Sequence, residues 1–219
     1  YDSVGKRREL RTTRGHPFPF ARIKADKHQE THGVINHMSE QDTGYVVHKG
    51  CDHIFFVGFL GAGKSTLARN LGGLFNRDFV DTDKLVERAR HMSVCQIFEC
   101  DGERRFRDYE VEALGKLRSR KSLLVSCGGG IVEDGRSCAI MHEMGKVVFL
   151  DGDLVDSLRQ IRHPELRPDF GCVEDARKLY QARRPLYQGA ADITIDIRGK
   201  SFEQVCSLAG CVLWEEGLL

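Results

Sequence analysis

Long apolar runs are missing from this sequence. The longest candidate, residues 54–60, falls far short of the roughly 18 to 20 residues that a membrane helix needs, so no membrane partner is expected. An excess of one charge is missing too: 33 Lys and Arg stand against 32 Asp and Glu. That balance disfavours a chain whose main task is coating a nucleic-acid backbone, and no nucleic-acid partner is expected. Zinc-type cysteine pairs are absent. The eight cysteines include no CxxC, and none stands beside a histidine at ligand spacing. They read as reduced, mostly buried small hydrophobes of a cytoplasmic protein, with Cys127 as a strand-end residue. What is present, 41% hydrophobic and 30% charged residues over 219 positions, suits a globular protein of one domain, or of one domain plus a tail.

The first 50 residues stand apart. They hold nine basic and six acidic residues, five of the nine histidines and two of the five prolines, with no apolar periodicity. Residues 1–50 are therefore expected to be an N-terminal extension, either disordered or the tail of an upstream domain. Residues 51–219 are regular. Short apolar runs at 53–58, 79–81, 122–126, 146–151 and 192–196 read as strands. Helical stretches lie between them at 64–75, from about 83, at 102–118 and at 173–183. A capping box at 201–204 opens a last helix toward Trp214. This alternation predicts an α/β domain whose parallel sheet is covered on both faces.

The strongest chemical signal is GFLGAGKS at residues 58–65, which fits GxxxxGK[ST] between an apolar strand and a helix. Glycines there let backbone N–H groups of Gly61, Ala62 and Gly63 curl around phosphate oxygens, and the helix points its N-terminus at the same anion. Lys64 can bridge the terminal phosphates, and the Ser65 hydroxyl, with Thr66 beside it, can serve the metal and phosphate shell. The pattern predicts nucleoside-triphosphate binding. With no NKxD guanine signature and little room for a motor, a compact kinase fits best.

Further along, Asp81 and Asp83 flank a threonine at the end of the second strand, where ligands sit in open α/β sheets. Asp83 has two readings, a helix N-cap or an acceptor-binding carboxylate. Arg107 and Glu110 are three residues apart on a helix: an oriented guanidinium, or a solvated ion pair worth little. Gly128, Gly129 and Gly130 follow the third strand directly, leaving N–H groups bare as an oxygen cradle or forming a flexible turn. Arg183 stands before Arg184-Pro185, near a helix end.

Taken together, GFLGAGKST, DTD, GExxFR, the strand-end GGG and RxPLY resemble the shikimate kinase family in order and spacing, over about residues 53–200. The resemblance implies a nucleoside-monophosphate-kinase type of P-loop domain, a five-stranded parallel sheet flanked by helices with a mobile lid. It implies phosphorylation of shikimate to shikimate 3-phosphate with ATP and Mg²⁺, by an enzyme expected to be a monomer. Lys64, Ser65 and Asp81 would hold phosphate and metal, and Asp83 would bind and activate the acceptor hydroxyl. Arg107, Arg183 and the backbone of Gly128, Gly129 and Gly130 would hold the acceptor, with Glu110 bracing the arginines. Arg167 would be the lid arginine over the transferring phosphate. The sequence departs from the family pattern in reading Arg167-Pro168-Asp169-Phe170 there. It also carries Gln160, beside Arg159, where an adenine-stacking arginine often stands. A gluconate-type kinase and a non-catalytic ATP-responsive module are the alternatives.

Overall fold

The computed structural model describes residues 53–160 and 173–219. Five strands, β1 (His53–Val57), β2 (Phe79–Asp81), β3 (Leu124–Ser126), β4 (Gly145–Asp151) and β5 (Ile193–Asp196), form one all-parallel sheet in the order β2-β3-β1-β4-β5. The chain runs from β1 out to β2 and back to β3, then crosses to β4 and β5. Three adjacent strands therefore deliver their following loops to one carboxyl edge, where ligands collect in open α/β sheets. The register aligns them: Ser126 at the end of β3 lies opposite both Phe56 and Asp81.

Strand residues are buried on both faces because helices cover both. On one face Phe55, Val57, Val125, Val147 and Phe149 pack with Leu114, Met141 and Tyr187. On the other, Ile54, Phe56, Leu124, Val148 and Leu150 meet Leu67 and Leu71 of α1 (Lys64–Phe75) and Val205, Ala209 and Leu213 of α8 (Phe202–Glu215). The capping box opening α8 forms as expected, Ser201 and Gln204 each bonding the other's backbone. Cys127 is fully buried against Met141, and burial pushes its thiol pKa well up, which leaves it an inert strand-end residue.

A third, smaller core sits apart from the sheet. Val86 of α2 (Thr82–Arg90), Ile97 of α3 (Val94–Cys100), and Phe106, Tyr109 and Ala113 of α4 (Gly102–Gly115) form it. It holds three helices against the carboxyl edge beside β2. The remaining helices are α5 (Gly135–Met144), α6 (Leu154–Gln160) and α7 (Val173–Ala190). α7 continues to Ala190, past the expected end at 183, with Pro185 inside it. Tyr187 beyond the proline is buried, stacked on Phe149, and Arg184 grips Asp151 with two bonds at 3.0 and 2.7 Å. Tertiary anchoring outweighs the local cost of the proline.

Candidate active site

The loop after β1 turns through left-handed glycines, Gly61 and Gly63 both at φ 78°. A Cβ on Gly61 would also collide with the Ser157 carbonyl, so any side chain there meets both backbone strain and a steric block. No side chain caps α1, which leaves its first N–H groups for an anion at the loop. Lys64 arches back over this loop, its Nζ donating to the carbonyls of Gly58 at 2.7 Å and Phe59 at 2.9 Å. Ala62 is turned inward: its side chain joins the core and its N–H reaches the Phe59 carbonyl at 3.2 Å.

Ser65 links this loop to its neighbours. Its hydroxyl donates to Asp81 Oδ2 at 2.8 Å and lies 2.8 Å from the Ser126 hydroxyl. Asp81, not Asp83, is the N-cap of α2, its Oδ1 accepting the Lys84 N–H at 3.2 Å. Of the two readings of Asp83, the N-cap is the one that fails: α2 starts at Thr82, two residues before a cap at Asp83 would place it, and Asp83 lines the cleft instead. Ser65, Asp81 and Ser126 are hard oxygen donors, the type that suits Mg²⁺. Among the described residues no group of three or more His, Cys, Asp and Glu forms a metal cage. A cation here would complete its shell with phosphate oxygens and water. Ser126 escaped the sequence reading. Its only signal is its place as the last strand residue before Cys127 and the glycine triplet.

Asp83 lies where two clefts meet. With Lys64, Ser65 and Asp81 it lines the phosphate-loop cleft, and with Arg107, Glu110 and Gly128 it lines the second, beside the small helical core. Arg107 and Glu110 are both buried, so their pair is no solvated helix face. Arg107 Nη1 donates to Glu110 Oε2 at 2.7 Å, and Nη2 donates to Glu103 Oε1 and Glu133 Oε2, both at 2.8 Å. Arg183 is buried too, and its Nε and Nη2 donate to Glu133 at 2.9 and 3.1 Å. Bracing of Arg183 by Glu133 was not foreseen. Glu133 follows the triplet by three residues and carries no motif.

The glycine triplet owes its composition to crowding. A Cβ on Gly128 would press on the Asp83 carboxylate and stand 2.7 Å from Glu110 Oε1, and one on Gly130 would run into the Arg107 guanidinium. Side chains can close on this backbone only because it has none. The expectation of bare N–H groups is corrected at Gly128, whose N–H is bonded to Thr82 Oγ1 at 2.9 Å. The Gly129 carbonyl accepts the Tyr187 hydroxyl. Charge in the second cleft is finely set. Burial raises the Glu110 pKa from 4.5 to about 7, Arg107 opposes the rise, and Asp83 adds to it. Burial works against the Arg107 cation, but Glu110 beside it prevails and its pKa is raised.

Comparison with known sequences decides the family. The Shikimate kinase family profile matches residues 60–209. The chain belongs to the shikimate kinase family. Its curated relatives include the "Shikimate kinase" of Prochlorococcus marinus (strain NATL2A), 35% identical over 73% of this chain and 81% of the relative. That of Lactococcus lactis subsp. cremoris (strain SK11) is 36% identical over 71% and 94%. Among solved structures, shikimate kinase from Acinetobacter baumannii in complex with shikimate superposes with a TM-score of 0.69 at 30% identity, covering 76% of this chain and 93% of that one. A gluconokinase from Sinorhizobium meliloti, at 15% identity and a TM-score of 0.51, covering 78% of this chain and 97% of that one, shares the fold alone.

Within this shikimate kinase fold, Lys64, Ser65, Thr66, Asp81, Asp83 and the glycines converge on adjoining clefts, with Arg107 and Arg183 bridged through Glu133. Arg162 and Arg167 lie outside the described residues, as do the side chains of Arg159 and Gln160.

Proposed function

We propose that the chain transfers the γ-phosphoryl group of ATP to a hydroxyl of shikimate, giving shikimate 3-phosphate and ADP, and that residues 51–219 form the catalytic unit. The observation that carries this reading is Asp83, which faces the phosphate-loop lysine on one side and a buried guanidinium on the other. An acceptor anchored by its carboxylate to Arg107 and Arg183 would present a ring hydroxyl to Asp83. Asp83 would orient that hydroxyl and take its proton as the oxygen attacks phosphorus and the bond to the ADP oxygen breaks. Lys64 and the α1 N-terminus would hold the phosphates against their own repulsion, and Ser65 and Asp81 would hold Mg²⁺. Mg²⁺ supplies charge neutralisation on the transferring phosphate. Gly128, Gly129 and Gly130 would let the acceptor approach the backbone.

Arg167 is assigned to the transferring phosphate by family resemblance. Arg167→Ala is expected to lower kcat by roughly 10², the range for lost charge-stabilising donors, with little change in KM. A normal kcat beside a collapsed one for Arg159→Ala or Arg162→Ala would move that duty. The reading includes a monomeric enzyme working in the cytoplasm, which sedimentation and cell fractionation test. A coupled ADP-release assay with shikimate, gluconate or no acceptor tests the activity itself: turnover with gluconate, or none above background with shikimate, would overturn it.

A further inference from the structure

Glu133 occupies a position that an acceptor's carboxylate would be expected to seek. Its two oxygens receive parallel bonds from Arg183 at 2.9 and 3.1 Å, and Oε2 also accepts from Arg107 Nη2 at 2.8 Å. That is a carboxylate bridging two guanidiniums, the pairing by which arginine recognises such a group. The geometry points to Glu133 as an internal carboxylate that fills the acceptor clamp and is displaced by the carboxylate of the incoming acceptor. This rests on the reading that Arg107 and Arg183 bind that acceptor.

Burial decides which partner can leave. The Arg107 and Arg183 side chains are 10% and 2% exposed, whereas the Glu133 side chain is 30% exposed. Glu110, the other carboxylate deep in the cluster, is sealed completely. Glu133 ends a single 3-10 turn (Ile131–Glu133) whose first two residues are buried, and its own N–H bonds the Gly130 carbonyl at 2.9 Å. The backbone is pinned at the clamp, so the swing belongs to the side chain.

Charge favours exchange over addition. Glu103, Glu110 and Glu133 already bond Arg107, Glu133 bonds Arg183, and Asp83 faces the same cleft. Adding a further anion to two guanidiniums so well matched would bury uncompensated negative charge. Replacing Glu133 by the acceptor's carboxylate keeps the count constant. The exchange selects for carboxylates, since a neutral polyol has nothing to offer the arginines in return. It also lowers apparent acceptor affinity by the fraction of molecules in which the clamp is free.

The test uses the full chain and two readouts: KM in the ADP-release assay, and calorimetric titration with cyclohexenecarboxylate, a ring carboxylate without hydroxyls. Glu133→Gln is expected to lower both KM for shikimate and Kd for the ring carboxylate by roughly three- to tenfold, the effect of freeing a clamp closed about two-thirds to nine-tenths of the time. KM for ATP should not move, and the ring carboxamide should gain nothing. Glu133→Asp, which keeps the charge but shortens the bridge, should fall between, and it carries the test if the Gln variant unfolds. Unchanged or raised acceptor values would make Glu133 a fixed brace and sink the inference. An equal gain from Glu103→Gln would make it a general charge effect, with the same consequence. Wild-type turnover of shikimate without the Glu133 effect would defeat this inference alone. Failure of wild type to bind either carboxylate would defeat the functional reading with it.

Discussion

Arg107 holds three carboxylates, and each takes a different edge or hydrogen of the planar guanidinium. Lysine keeps the charge but offers a compact ammonium that cannot span Glu110 on one side and Glu133 on the other. Arg107→Lys is therefore expected to raise KM for shikimate by roughly ten- to a hundredfold, from a loss of about 1.5 to 3 kcal/mol per charged contact, and to leave KM for ATP nearly unchanged. A change in the ATP value instead would move Arg107 to the nucleotide site. Glu110 gives a second residue-scale prediction. Its pKa rises from 4.5 unfolded to about 7 folded, so the folded protein holds this proton over a pH window in which the unfolded chain has lost it. Its contribution to stability is greatest below about 4.5 and is lost as pH rises toward 7. The unfolding temperature of Glu110→Gln, measured from pH 5 to 8, should show a smaller decline than wild type; parallel curves would contradict the raised pKa. The i,i+3 spacing of Arg107 and Glu110 is visible in the sequence. Their burial is not, because it depends on the glycine triplet, distant in sequence, packing against both side chains.

Elements were legible where a local signal was strong. α1 and β2 run as expected, 64–75 and 79–81, since an apolar strand, a glycine loop and a helix read from consecutive residues. α7 shows the limit: Pro185 argues for a helix end, yet the helix continues because Arg184 and Tyr187 are tied to the sheet and the glycine triplet. The Tyr187 hydroxyl joins α7 to the carbonyl of Gly129, and so connects the helix carrying Arg183 to the loop packed against Arg107. Tyr187→Phe keeps the ring and removes that bond. It is expected to cost about 1 kcal/mol of stability in denaturant unfolding and to raise KM for shikimate several-fold. Lost stability with an unaltered KM would reduce the bond to a purely structural tie.

Across the whole molecule, the family match begins at residue 60, and every motif with an assigned chemical role lies beyond Gly50. Removing residues 1–48 is expected to leave kcat and the unfolding temperature nearly unchanged; loss of folding or of most activity would mean that the segment belongs to the catalytic unit. The sequence by itself determined the α/β class, the phosphate loop and the family, because each depends on residues close together or on motifs in fixed order. It also singled out Asp83, Arg107 and Arg183 as the residues proposed to take the acceptor, through that order. Only the tertiary structure decided that Asp81 caps α2, that Ser126 joins Ser65, and that Glu133 bridges the two arginines. The cap is local, but the last two contacts join residues 26 to 61 positions apart, brought together by the parallel register of β1, β2 and β3 and by the packing of α4 and α7 around the glycine triplet. No local spacing encodes them, since a parallel sheet pairs segments whose separation is set by the helices between them.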